Sequence, residues 1–481
     1  MRALSAFVNI EKIKRAHLMG IGGAGMSGLA QLLKEMNIEV SGCDNVNSFY
    51  AEKISRQGVP IESGHHRDHL LKYNPDLLIF SSAISQNNPE IQAAYDKGIL
   101  VAKRAEVLSG IFNARRGVGV AGTHGKTTTS SMISLMAELA GCAATVAIGG
   151  ELSDIGCNAK LGLGEYMIAE LDESDGSFEL FSPSIAIITN IDWDHIDHYP
   201  SLTSVFDAFA RFAAFRKKGA PLIACAEDLG VSHLISSGKL QDVCTYGWGT
   251  GWDWGATEIR PIPGGGVTYL LHHQGVLKGE IKLRVSGEHN VLNSLAACAA
   301  AHFMGISFHD YQEALGRFNG AKRRLQHLGN FRGVDIYDDY GHHPNEIAAT
   351  LAALEGIYPH RPKLVIFQPH RYSRTGALYK EFASALCSAD KIYLLPIYAA
   401  DETPPPGVSS ALIAKAAEDM GHTSCELCEN FQDSIQKLYD SIHEGDLVLT
   451  IGAGDVGTLG KNIMEGMDTY FSNEQAFIPR R

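Results

Sequence analysis

At 481 residues the chain has the length of about three domains, each able to bury a core of its own. A hydrophobic content of 45% with 20% charged residues argues against a disordered chain, and a net charge of −13 (41 basic against 54 acidic residues) excludes the basic bias of an unspecific nucleic-acid binder. Nine cysteines with a single C-x-x-C, Cys425 and Cys428, lack the second pair of a zinc site and are expected to be free thiols. With no apolar leader-like run and no stretch of 18 apolar residues, the expectation is a cytoplasmic protein that does not enter a membrane.

A first strand is predicted over residues 16–20. It runs into Gly20-Ile-Gly-Gly-Ala-Gly25 and a helical pattern from Ser27 to Met36. This is G-x-G-x-x-G, and Asp44 stands 19 residues beyond Gly25, after a second strand-like run. Alone it reads as a nicotinamide-dinucleotide site, as in an NAD-dependent oxidoreductase. The N–H groups of such a turn cradle other diphosphates equally well. The next strand, in 76–85, ends in serines and places Ser81 and Ser82 at the edge where open parallel sheets bind ligands.

Residues 117–129, Gly-Val-Gly-Val-Ala-Gly-Thr-His-Gly-Lys-Thr-Thr-Thr, again predict strand, glycine loop and helix. Consecutive N–H groups, a helix start and the Lys126 ammonium suit a nucleoside triphosphate, and the Thr127 hydroxyl suits its divalent cation. The strict phosphate-loop pattern requires glycine where this chain has Val120, so the loop is a compact variant. Two further strands, 166–171 and 185–191, emerge into Asp172-Glu-Ser-Asp175 and Asp192-Trp-Asp-His-Ile-Asp-His198. Hard carboxylate oxygens and imidazoles at one sheet edge suit metal-assisted phosphoryl transfer.

Residues 245–285 alternate as antiparallel hairpins do, and lead to Asn290 and Asn293 on one side of a helix start, where amides bond a nucleobase or cap the helix. Lys322-Arg323-Arg324 lies in a turn expected to be a hinge. Beyond it, Tyr337-Asp-Asp-Tyr-Gly-His-His-Pro344 ends one strand and Pro369-His-Arg-Tyr-Ser-Arg-Thr375 follows another. Arg371 and Arg374, three apart, are expected to share a helix face and clamp a carboxylate or phosphate. Gly452 to Gly457 repeats G-x-G-x-x-G too near the terminus for a dinucleotide unit and reads as a turn.

Taken together, the motifs resemble the Mur ligases nearly end to end: Gly22 to Gly28, Gly122 to Thr128, Glu170 to Asp175, Asp338 to Pro344 and Gln368 to Thr375. The resemblance implies an α/β protein of three domains. A Rossmann-like N-terminal domain (1–107) binds a UDP-sugar. A central P-loop ATPase-type parallel sheet with a small antiparallel sheet (108–322) binds ATP, and a Rossmann-like C-terminal domain (323–481) closes over ATP and binds the amino acid. It further implies an ATP-dependent ligase acting on UDP-N-acetylmuramate, as monomer or homodimer. Pro369-His370-Arg371 favours the branch that adds L-alanine over a recycling branch that attaches a tripeptide.

By the same resemblance Gly22, Gly23, Ala24, Gly25, Asp44, Ser82 and Ala83 hold the UDP-sugar. ATP falls to Gly122, Thr123, His124, Gly125, Lys126, Thr127, Thr128, Asn290, Asn293, Arg324 and Asp338. Thr127 and Glu170 take one Mg²⁺ (or Mn²⁺) and His195 a second, although spacing does not choose Glu170 over Glu173. Lys126, His195, Arg324, His343, His370, Arg371 and Arg374 serve the chemistry.

Overall fold

The computed structural model describes residues 8–46, 48–150, 157–194, 198–400 and 402–473. Three sheets follow one another along the chain. The first is wholly parallel, in the order Ile61–Ser63, Glu39–Asp44, Arg15–Met19, Leu77–Phe80, Leu100–Lys103. Leu77–Phe80 is buried at every position, as a strand covered by helices on both faces must be.

The central sheet has ten strands. Its middle is parallel, with Arg116–Ala121 between Ile185–Ile188 and Tyr166–Glu170. At one edge Trp254–Pro261, Val267–His273 and Val276–Leu283 pair antiparallel. These hairpins are the expected small antiparallel part, and they continue the parallel sheet through Val243–Trp248. Val267–His273 keeps the alternation of a half-covered strand. The third sheet has six strands, parallel apart from the edge hairpin of Gln326–Phe331 with Val334–Asp339.

The packing divides unequally. One apolar cluster runs without a break from Leu18, Leu29 and Phe112 in the first domain to Met167, Phe178 and Phe209 in the second. The apolar clusters of the third domain draw only on residues beyond the hinge, among the described residues. Domains one and two therefore share a core, whereas the third is held to them by polar contacts. All nine cysteines are free. Among the described residues, no helix is long and apolar enough to cross a membrane.

Candidate active site

In the first glycine loop, Gly20 has φ +76° and Gly23 caps the helix Ala24–Glu35. Asp44, at the end of the neighbouring strand, accepts from the Gly22 N–H at 2.7 Å, and the Ser48 hydroxyl donates to the Gly22 carbonyl at 2.7 Å. A Cβ on Gly25 would stand 2.8 Å from the Arg104 guanidinium, so that cation lies against the loop. Ser82 and Ala83 are exposed in the turn after Leu77–Phe80, at the same carboxyl edge. Arg104 was not among the predicted site residues. Its signal was a cation immediately after the strand Leu100–Lys103.

A cavity of about 180 Å³ begins at Gly25 and Arg104 and ends at Gly149, Glu170 and Asp172 of the central domain. Asn158 lines it and donates to the Ala24 carbonyl at 2.7 Å, joining the two domains at its wall.

The second glycine loop sits where Arg116–Ala121 turns into the helix Lys126–Leu139. Gly122 has φ +140°, and a Cβ there would meet the Thr189 hydroxyl at 2.0 Å, so only glycine fits. The Lys126 ammonium donates to the Thr123 carbonyl at 3.1 Å and to the Glu173 carboxylate at 2.8 Å. Burial opposes its charge, but Glu173, Asp172 and Glu170 outweigh burial and hold its pKa above the ordinary lysine value. Glu170 instead accepts from the Thr127 hydroxyl and the Gly149 N–H, both at 2.9 Å. The two acids that spacing left open thus stand apart: Glu173 on the lysine, Glu170 on the threonine.

Thr127 Oγ1 and Glu170 Oε2 are hard oxygen donors side by side at the mouth of the loop, the donor type that Mg²⁺ takes. His195, the expected ligand of a second ion, lies outside the described residues.

Above the loop a cavity of about 320 Å³ is lined by Gly125, Thr128, Asn290 and Asn293 of the central domain and by Arg324, Asp339 and Glu346 of the third. Asn293 donates to the Asn290 side-chain oxygen at 3.2 Å, and Asn290 donates to the Ser286 carbonyl at 2.7 Å. Asp338 is a correction. It points to the other face of its strand, where it accepts from Arg323 at 3.0 Å and Thr450 at 2.9 Å. Successive strand residues alternate faces, so it is Asp339 that meets the cavity. Burial pushes Asp339 up to about 6, against the pull of Arg324.

Among the described residues, polar contacts from His124, Asp192 and Asp194 hold the third domain down on the second. His124 bonds Asp192 at 2.9 Å through one ring nitrogen and pairs with Glu346 at 3.1 Å through the other. Asn345 donates to Asp192 at 2.7 Å. Arg374 makes a bidentate pair with Asp194, Nε donating to Oδ1 and Nη2 to Oδ2, both at 3.0 Å, and both residues are 5% exposed. Burial works against the His124 charge, but Glu346 and Asp192 prevail and raise its pKa to about 9.

The expected two-arginine clamp on one helix face is not what forms. Arg371 stands at the N-cap with φ +70° and its guanidinium 3.9 Å from Glu402, whereas Arg374 is spent on Asp194. A cap residue lies outside the helical turn, so the three-residue spacing no longer aligns the two side chains. His343 caps the helix Pro344–Ile357 with its ring centroid 4.9 Å from that of His124. His370 stacks on Tyr398 with its Nδ1 3.3 Å from Arg374. Burial, then the neighbouring cations, lower both histidines to about 4, so both are neutral at pH 7.

Comparison with known proteins matches the chain in three successive stretches. Three family models match in succession: "Mur ligase family, catalytic domain" over residues 15–116, "Mur ligase middle domain" over 120–301 and "Mur ligase, glutamate ligase domain" over 323–454. The UDP-N-acetylmuramate–L-alanine ligase of Carboxydothermus hydrogenoformans is 41% identical over 95% of this chain and 97% of its own. That of Syntrophobacter fumaroxidans is 39% identical over 94% of this chain and 96% of its own. Among solved structures, the UDP-N-acetylmuramate-alanine ligase of Thermotoga maritima superposes with a TM-score of 0.81 at 28% identity, over 95% of this chain and 99% of its own. Such agreement in all three domains leaves no room for the dehydrogenase reading of the first glycine loop. The chain belongs to the Mur ligase family.

Proposed function

We propose that this chain uses ATP to join L-alanine to the lactyl carboxylate of UDP-N-acetylmuramate, a cytoplasmic step of peptidoglycan precursor synthesis. The observation that carries the reading is the cavity from Gly25 and Arg104 to Glu170 and Asp172. It leads from the glycine loop of one domain to the acids that flank the phosphate loop of the next. A sugar nucleotide gripped at the first loop would present its carboxylate where the γ-phosphoryl group of ATP lies.

In this reading Gly22, Gly23, Ala24, Gly25, Asp44, Ser82 and Ala83, with Arg104, hold the UDP-sugar. Residues 122–128 cradle the ATP phosphates, while Asn290 and Asn293 face the base. Thr127 and Glu170 hold Mg²⁺, with His195 at a second ion, and the bound cation offsets charge on the phosphates. Lys126 stabilises the charge that spreads over the transferring phosphoryl oxygens, and Arg324 adds a cation from the third domain. The sugar carboxylate becomes an acyl phosphate, and the amine of L-alanine then displaces phosphate from it. Neutral His343 and His370 spare an incoming amine a cationic wall, while Arg371, paired with Glu402 beside them, supplies a cation for the amino-acid carboxylate.

Phosphate release from ATP tests this directly. It should require both UDP-N-acetylmuramate and L-alanine; release that ignores the sugar would refute the ligase reading. A preference for a tripeptide over L-alanine would move the chain to the recycling branch.

A further inference from the structure

A second group of ligand-type side chains lies in the first domain, away from the chemistry described above. His17 is on the strand Arg15–Met19, Cys43 on Glu39–Asp44, His69 opens the helix His69–Tyr73, and Glu90 lies in the helix Pro89–Asp96. One ligand atom from each falls within 4.8 Å of all the others. His17, Cys43 and Glu90 are fully buried and His69 is 9% exposed.

Glu90 Oε1 is 3.1 Å from His17 Nε2 and 3.2 Å from His69 Nδ1, and Glu90 Oε2 is 3.5 Å from Cys43 Sγ. Yet His17 Nε2 has no properly directed hydrogen-bond partner. Two polar atoms held in contact without an N–H aimed at the oxygen is how two ligands of one ion stand. For tetrahedral Zn²⁺, with N and O at about 2.0–2.1 Å and S at about 2.3 Å, ligand-to-ligand edges are about 3.3–3.6 Å; both histidine nitrogens lie just inside that distance from Glu90 Oε1, and the Cys43 sulfur faces the other oxygen of the same carboxylate.

We propose that His17, Cys43, His69 and Glu90 form a zinc site that braces the first domain from within. The charges balance: one thiolate and one carboxylate cancel the ion, and both imidazoles bind neutral. Four coordinate bonds form, and the thiol proton leaves to solvent together with any proton on the imidazoles.

The surroundings orient the ligands as metal sites require. The Ser41 hydroxyl sits 2.8 Å from His17 Nδ1; accepting from it, the hydroxyl turns the Nε2 lone pair inward. The His66 N–H donates to Glu90 Oε2 at 3.0 Å, and His65 Nδ1 lies 3.2 Å from Cys43 Sγ, placed to donate to a thiolate. Without an ion, burial and then Glu90 push the Cys43 thiol far above its usual range, and a bound cation reverses that. Cys43 precedes Asp44, which accepts from Gly22 N–H, so the ion would tie two strands and two helices together beneath the first glycine loop.

The full-length protein is loaded with Zn²⁺, dialysed against metal-free buffer and assayed for metal, and a parallel sample is loaded with Co²⁺. Expected are about one tightly held zinc per chain and a thiolate-to-cobalt charge-transfer band, which the thiol-free cluster of His124, Asp192 and His343 cannot give. Cys43→Ser should abolish the band and weaken zinc at least tenfold, whereas Cys425→Ser with Cys428→Ser should change neither. Wild-type protein that is folded by circular dichroism but retains no zinc would overturn the proposal, as would a band lost in the Cys425/Cys428 variant. Should Cys43→Ser fail to fold, the wild-type stoichiometry and the Cys425/Cys428 variant still decide.

Discussion

The two glycine loops share one plan, a parallel strand turning through glycines into a helix, but differ in what surrounds them. The first meets Asp44 on one side and the Arg104 guanidinium on the other, and its domain shares an apolar core with the next. In the second, a lysine at the helix start is ringed by Glu173, Asp172 and Glu170, and the roof comes from a separate domain through His124, Asp192 and Asp194. A backbone cradle selects for phosphate as such. The neighbouring charges, and whether the roof can lift, decide between gripping a substrate and activating one.

The comparison breaks most sharply at Lys126. Lys126→Ala should lower turnover by roughly 10³-fold, the scale of losing a preorganised donor to transition-state charge, while UDP-N-acetylmuramate binding by calorimetry persists. Loss of both would mean that the loops are not separate sites. The roof is the next place to press. Arg374→Ala removes the guanidinium partner of buried Asp194, and breaking a buried ion pair costs about 3–5 kcal/mol. The third domain should swing free, seen as a larger radius of gyration in small-angle scattering; an unchanged radius would mean the polar contacts do not hold it.

At the first loop, Arg104→Ala should raise KM for the sugar nucleotide roughly 10- to 100-fold, the equivalent of a charged hydrogen bond of about 1.5–3 kcal/mol, with KM for ATP unchanged. Equal changes in both would erase the distinction between the loops. The smallest effect is a pH dependence. His124 is raised in the folded protein to about 9 from 6.5, so its stabilising contribution is complete below about pH 6.5 and lost as pH rises through about 9. Glu346, held well below the usual carboxylate range, stays charged throughout that window, because His124 and the permanently charged Arg324 outweigh the penalty of burying it. The melting-temperature gap between ATP-free wild type and Glu346→Gln should therefore be widest below about pH 6.5 and narrow as pH rises through about 9 to the part that Arg324 supplies; a gap independent of pH would remove His124 from the clasp.

Much of this arrangement was legible in the chain. Lys126 and Thr127 could be named because strand, loop, cation and hydroxyl are contiguous, and contiguous residues meet whatever the rest of the molecule does. Asn290 and Asn293 could be paired because helical spacing sets them on one face, and the structure bonds them to each other. Asp338 could not be told from Asp339, since adjacent strand residues differ only in which face they take, and the fold chooses the face. Arg374 illustrates a different failure. Its partner Asp194 is 180 residues away, so no local spacing could reveal the pair.

Local pattern was therefore enough for three α/β units, two glycine loops at strand-to-helix turns and an edge of acids, because each rests on a repeat or motif within a few dozen residues. Which carboxylate serves the lysine and which the threonine, where Arg104 reaches, and how the third domain is fastened depend on side chains converging from distant strands. That convergence follows from the order in which the strands pair and from the register of each, which place the ends of Tyr166–Glu170 and Ile185–Ile188 on either side of the loop after Arg116–Ala121.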